Sequence, residues 1–227
     1  MNSRFRPWRL VALPIATALL VFAYACGSDE EASPQDTNPA STTQAAVTFP
    51  PVPTFESCPT PSGAAPEVQA KTYPARPAMS IDPARQYIAH VFTTRGHFIV
   101  ELAPGIAPEH VNSFVFLARE KFYNGTAFHR VEPGFVVQGG DPTGTGTGGP
   151  GYTVPLEASQ EPFVRGIVGM ARSNDPNSAG SQFFVTLDDA PHLNGEYTVF
   201  GKVVQGMEYV DCIEVGDQII DLAIQEI

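Results

Sequence analysis

The sequence predicts a mainly β domain, an eight-stranded closed antiparallel barrel capped by two α-helices. Three observations carry that expectation. Short β-branched and aromatic runs recur between turn signals. Only two stretches carry helical periodicity. No alternation of strand and helix suggests a parallel sheet.

The elements follow in order. Tyr87–Thr94 has the content of a strand, Arg95-Gly96 turns the chain, and His97–Leu102 returns with Phe98, Val100 and Leu102 alternating. Pro108-Glu109 opens a helix, since proline is tolerated in a first turn. Val111, Phe114, Val115, Ala118 and Phe122 then fall on one apolar face, and Asn124-Gly125 stops it. Short strands are expected over 127–130, 135–139, 167–171, 183–186 and 199–204. Residues 206–214 read as a second helix, and 221–227 ends as an alternating strand around Leu222, Ile224 and Ile227.

The 227 residues leave room for one such domain and appendages. Arg4, Arg6 and Arg9 precede an apolar run from Leu10 to Ala25, and Ala23-Tyr24-Ala25 fits a signal-cleavage site. Pro14 and the short length argue against a membrane span. Residues 1–25 are therefore expected to be a signal peptide. Residues 26–80 are rich in Pro, Ser, Thr and Ala and read as a disordered tether, because they lack apolar surface to offset chain entropy. The folded domain is expected over 81–227. Removing residues 1–25 would leave 10 basic against 24 acidic side chains, so the formal charge moves from −11 to −14. Such a balance argues against nucleic acid as a partner.

The remaining motifs exclude other chemistries. Gly144-Thr145-Gly146-Thr147-Gly148-Gly149 satisfies a nucleotide-loop pattern, but Pro150-Gly151 follows where a helix should start. The five histidines show no metal-ligand spacing, and there is no C-x-x-C. No cofactor or metal is expected. Three cysteines are present. Cys58 and Cys212 could pair in an oxidising compartment, or stay as two thiols.

Two runs concentrate chemistry. Phe128-His129-Arg130-Val131-Glu132-Pro133-Gly134-Phe135-Val136-Val137-Gln138-Gly139-Gly140-Asp141 sets one arginine and one glutamine around an apolar stretch, and Gly180-Ser181-Gln182-Phe183-Phe184-Val185 follows about forty residues later. Together they describe a water-poor pocket with a fixed cation at its rim. The first run resembles the defining stretch of the cyclophilins, the peptidyl-prolyl cis-trans isomerases. The likeness continues through Gly148–Tyr152, Gly169–Arg172, Pro176–Phe184 and Thr198–Val203, and spans about residues 84–227. Bacterial lipoproteins offer a second likeness. Phe22–Ser28 resembles their signal box, with Cys26 as the lipidated residue, although Ala23 stands where leucine is usual, which leaves plain signal cleavage open.

The first resemblance implies the eight-stranded barrel and isomerase activity on X–Pro bonds, and the export signal points to exported or envelope proteins as its substrates. It implies Arg130, Gln138 and Phe135 as catalytic residues. Val136, Ala171, Asn174, Phe184, Leu193 and His192 would contact the substrate, with the segment 171–174 along the peptide. The alternative is a binding module that holds proline-containing segments without turnover. Three departures from relatives stand out. Val136 replaces a common methionine. The loop 172–181 is one residue longer. His192 stands where cyclosporin-sensitive relatives carry tryptophan, so cyclosporin binding is expected to be weak. A monomer is expected, anchored through Cys26 to the outer face of the cell membrane or in the periplasm.

Overall fold

The computed structural model describes residues 57–227. The expected signal peptide, Cys26 and most of the expected tether lie outside the described residues.

Eight antiparallel strands form one curled sheet: β1 (Tyr87–Thr93), β2 (Gly96–Leu102), β3 (Arg130–Glu132), β4 (Val136–Gly139), β5 (Ile167–Met170), β6 (Phe183–Thr186), β7 (Val199–Gln205) and β8 (Ile219–Glu226). Their spatial order is β3-β4-β6-β5-β7-β2-β1-β8. The seam between β3 and β8 is bridged by the residues before β3. Ala127 pairs with both Asp141 and Gln218. Gly125 N–H donates to Ile219 O at 2.7 Å, and Phe128 N–H to Asp217 O at 2.8 Å. The expected strand 127–130 is thus split. Its first half closes the barrel, and the β3 ladder starts only at Arg130.

Strand parity divides the apolar side chains into two cores. Val137, Val168, Met170, Phe183 and Val185 point inward and meet Phe98, Phe114, Phe128 and Phe200. Val136, Ile167 and Phe184 point outward and meet Phe163, Leu193 and Val199. Because side chains alternate along a strand, adjacent residues serve opposite cores. Both faces of β5 and β6 are covered, which is why all eight of their residues are buried.

Helix α1 (Pro108–Arg119) seals one end of the barrel, with Val111, Phe114, Val115 and Ala118 buried as the periodicity predicts. Its start lacks a capping side chain of its own. Glu157 supplies the cap from a distant loop. Its carboxylate accepts from the backbone N–H groups of Glu109 (3.1 Å) and His110 (2.9 Å) and from His110 Nδ1 (2.6 Å). A carboxylate at a helix N-terminus satisfies orphan donors and opposes the helix dipole. The second helix, α2 (Met207–Val210), is a single turn.

Residues 57–80 correct the expectation of a disordered tether. They form no helix or strand, yet they lie on the domain as a strap. Cys58 and Cys212 form a disulfide across 154 positions. In the chain-entropy account such a closure restrains the unfolded chain by roughly 5 kcal/mol. Arg95, buried and paired with Asp217 at 2.7 Å, donates through Nη1 to Pro59 O. Further along, Asn112 of α1 donates to Ala78 O and accepts from Ser80 N–H. Composition describes what a segment can bury alone. The strap instead borrows partners from a finished domain.

Burial pushes the Glu157 carboxyl up, but the hydrogen bonds from the His110 ring and two backbone N–H groups pull it below the ordinary carboxylate range. A depressed folded value means that its stabilisation is complete above about pH 4.3 and is lost as pH falls through that depressed value. Glu157→Gln should lower stability near pH 7 by about 1–3 kcal/mol and flatten the acid limb of a urea-midpoint profile. A mutant profile parallel to wild type below pH 5 would contradict the cap.

Candidate active site

The site is built on a row of residues crossing four strands. Arg130 of β3 lies opposite Gln138 of β4, Gln138 opposite Phe184 of β6, and Phe184 opposite Gly169 of β5. Register makes them neighbours although they are scattered from position 130 to position 184. All four occupy the outer face, beside the second core.

Gly169 makes the row possible. A Cβ there would lie 2.5 Å from Phe184 Cζ and 2.7 Å from Phe163 Cε1. Its missing side chain lets the Phe184 ring lie back across β5, stacked on Phe163 at 5.6 Å. Tyr197 meets the same ring edge-on at 5.9 Å. On the other flank Phe135 packs against the His192 ring at 5.3 Å. The 3-10 turn Pro191–Leu193 brings Leu193 over the floor, where it is buried.

The result is a hollow of about 260 Å³, lined by Arg130, Phe135, Val136, Gln138, Ala171, Arg172, Phe184, His192, Leu193 and Tyr197. Its floor is apolar and its charged groups stand at the rim. The Arg130 guanidinium is 5.7 Å from the Phe135 ring centre. Nε donates to Glu132 Oε1 at 2.9 Å, and Nη1 donates to Gln138 Oε1 at 3.1 Å. Glu132 also lies 2.7 Å from Nη2. Five donors on a planar group exceed these acceptors, so terminal N–H groups remain for a ligand. Gln138 passes the chain on: its Nε2 donates to Gln182 Oε1, and Gln182 Nε2 donates to Gly148 O.

Of the residues expected in the site, Arg130, Phe135, Val136, Gln138, Ala171, Phe184, His192 and Leu193 line one hollow. Asn174 does not. Its loop folds on itself through Ser173 and Ser178, whose hydroxyls lie 2.8 Å apart, and through Asp175, which accepts from Asn177 N–H. That self-contained turn leaves Asn174 exposed. Of the two remaining lining residues, Arg172 was expected only as part of the segment 171–174 and Tyr197 was not expected. Arg172 is held by Glu196 O and stacks on Tyr197 at 4.5 Å. The signal for Arg172 was its place after Ala171, blurred by the longer loop. Tyr197 precedes β7 with no local mark of its role. Among the described residues no cluster of three or more His, Cys, Asp or Glu could hold a metal.

A second cavity of about 600 Å³ adjoins the hollow and shares Gln138, Ala171 and Arg172 with it. Its loop is organised by buried Asp141, whose carboxylate accepts from Thr143 and from the N–H groups of Gly146 and Gly148. The nucleotide-like glycine run is therefore a turn wrapped round a carboxylate.

Comparison with known proteins gives one consistent likeness. Residues 88–224 match the family model described as cyclophilin type peptidyl-prolyl cis-trans isomerase/CLD. A Brucella suis protein named "Probable peptidyl-prolyl cis-trans isomerase" is 53% identical over 135 residues, covering 54% of this chain and 69% of that protein. Peptidyl-prolyl cis-trans isomerase B of Bacillus subtilis is 47% identical over 127 residues, covering 55% and 88%. Among solved structures, a Cryptosporidium parvum cyclophilin-type isomerase, crystallised in the presence of the dipeptide Ala-Pro, superposes with a TM-score of 0.57 at 34% identity. It covers 61% of this chain and 98% of that one.

Gly169→Ala should force Phe184 or Phe163 from its seat. Overpacking of this kind costs about 1–3 kcal/mol, read as a lower urea midpoint together with shifted aromatic resonances of both rings. An unchanged midpoint would mean that the row tolerates a Cβ.

Proposed function

The chain belongs to the cyclophilin-type peptidyl-prolyl cis-trans isomerase family, and on that premise we propose that Arg130 catalyses isomerisation by stabilising the twisted X–Pro bond. The activity is peptidyl-prolyl isomerisation. The proposal concerns how the site performs it and on which proteins.

Rotation about an X–Pro bond must break amide resonance, against a barrier of about 18–20 kcal/mol. Unaided it takes tens to hundreds of seconds. At the perpendicular geometry the proline nitrogen becomes pyramidal and recovers its lone pair. A donor aimed at that nitrogen binds the twisted form better than either planar isomer, and such differential binding is catalysis. No bond is made or broken, and no proton changes owner.

One observation carries the reading. A permanently charged, planar donor stands at the edge of a hollow of about 260 Å³ with an apolar floor of Val136, Phe184 and Leu193. Val136, Phe184 and Leu193 hold the ring and exclude water, which strengthens the hydrogen bond from Arg130. Glu132 and Gln138 keep the guanidinium from swinging into solvent. Gln138, half-buried, keeps its carbonyl on Arg130 and offers amide contact to the substrate backbone. The wall formed by Phe135 and His192 confines the residue next to proline.

Its substrates are proposed to be proline-containing exported or envelope proteins. The support is the basic, apolar N-terminal sequence ending at Cys26 and a disulfide in the domain. A lipid on Cys26 would hold the enzyme on a membrane surface without a span. Intact mass of the mature protein tests this. Acyl additions on a chain beginning at Cys26 are expected, and a mature chain beginning elsewhere overturns the anchor.

Arg130→Ala should lower kcat/KM on a short X–Pro peptide by about 10²–10³-fold, or roughly 2.7–4 kcal/mol of transition-state stabilisation, with KM little changed. Unchanged turnover would remove Arg130 from the mechanism. In the same assay cyclosporin should inhibit weakly, because His192 offers less ring surface than tryptophan. Submicromolar inhibition would reverse that part of the reading.

A further inference from the structure

Two histidines meet on the outer face of the sheet, away from the hollow. Ala89, Val91, Phe98 and Val100 point into the barrel core, which turns His90, Phe92 and His97 outward. His90 lies opposite Ile99 in the β1–β2 ladder, and Phe92 lies opposite His97. His90 and His97 are therefore diagonal neighbours across the two strands. Their separation of seven positions has no metal-ligand spacing in the sequence, but the turn from Thr93 to Gly96 folds β2 back onto β1. His90 Nδ1 and His97 Nε2 then stand 3.3 Å apart. The hollow stands on β3, β4, β6 and β5, whereas β2 and β1 lie beyond β7. Neither histidine lines the hollow.

Both rings are half-buried and held in place. The Gln225 carbonyl Oε1 lies 3.2 Å from His90 Nε2. A carbonyl oxygen only accepts, so Nε2 carries the His90 proton and Nδ1 presents a lone pair to His97. Donation of the distal ring N–H to a carbonyl or carboxylate is the usual support of a metal-binding imidazole. His97 is stacked on Phe92, with 4.2 Å between ring centres and 8° between planes. The two imidazole planes lie within 20° of each other. Asp221, opposite Phe92 on β8, is already engaged by Lys121 and Asn124. The donors this face offers are thus the two imidazole nitrogens.

We propose that His90 and His97 chelate one divalent transition-metal ion through His90 Nδ1 and His97 Nε2, Cu2+ most tightly and Zn2+ or Ni2+ less so. Two imidazole nitrogens at about 2.0–2.1 Å from one ion lie roughly 2.8–3.4 Å apart at square or tetrahedral angles. The 3.3 Å between the two nitrogens falls within that span. On binding, the His97 proton resides on its Nδ1, so both lone pairs face the ion and the neutral pair loses no proton. Water fills the remaining positions. Imidazole suits copper, zinc and nickel, whereas Mg2+ and Ca2+ prefer oxygen ligands. The ion fastens β2 to β1, and it stabilises the folded chain because unfolding separates its two ligands.

The test titrates the full chain with each metal alone, in a non-coordinating buffer at neutral pH. Calorimetry should show Cu2+ binding with submillimolar affinity, weaker binding of Zn2+ and Ni2+, and none of Mg2+. His90→Gln and His97→Gln should each weaken Cu2+ by about tenfold or more, the scale on which support of a metal ligand is felt. Zn2+ should raise the urea midpoint of wild type and leave that of His97→Gln where it was. Should the variants fail to fold, paramagnetic broadening by substoichiometric Cu2+ still locates the ion in wild type. The ring protons of His90 and His97 should then disappear first. Broadening centred on His129 or His192 would overturn the proposal, as would wild-type affinity in both histidine variants. Affinity no tighter than millimolar would leave the pair as a shared hydrogen bond only, which also overturns it.

Discussion

Everything at the site depends on the parity of β4, β6 and β5. In each strand one residue faces the barrel interior and the next faces the hollow, so Val137 and Val136, or Phe183 and Phe184, serve different cores. A slip of one residue in any pairing would exchange the two sets. It would bury Gln138 and expose Val137. The barrel core thus fixes the register, and the register sets Arg130, Gln138, Phe184 and Gly169 in line. The precision of the site is inherited from packing on the far side of the sheet. This explains how the proposed donor and the apolar floor beside it can be held in place without a deep cleft.

The same arrangement tempers the guanidinium. An arginine facing an apolar floor without a partner would turn to water. Glu132, two residues on along β3, lies on the same face and holds it. Both partners are half-exposed, so the pair contributes little to stability. Its consequence is orientation. Gln138 adds a neutral acceptor on the opposite side, and the amide chain through Gln182 to Gly148 joins the two cavities. Charge is concentrated at the rim, where desolvation costs least, and is directed at the hollow.

Much of this was legible in the sequence, for physical reasons that differ by residue. Strands announce themselves through β-branched content and alternation, so β1, β2, β6 and β7 were located to within a residue or so. The hollow was legible through the arginine–apolar–glutamine run and its resemblance to a family. The same alternation could not tell which apolar residues faced in, because β5 and β6 are buried on both sides. Asn174 lies outside the site because its loop satisfies its own polar groups, a contest decided by a few local hydrogen bonds. Arg172 and Tyr197 contribute through each other, and only their pairing across twenty-five positions leaves no trace in either neighbourhood.

Residues 57–80 depart further from what their composition implies. A Pro-, Ser- and Ala-rich segment lacks a core, so composition argues for disorder. Three features override composition here. A disulfide fixes one end, Tyr73 inserts among Phe116, Phe122 and Tyr152, and backbone groups find partners on the domain. Proline lowers the entropy lost on docking, because its φ is already restricted. A disulfide also persists mainly in oxidising compartments. The bond that fastens the strap therefore argues for the same location as the basic and apolar N-terminal sequence. Two features distant in sequence, one chemical and one compositional, are thus the support for the proposal that the enzyme works outside the reducing cytosol.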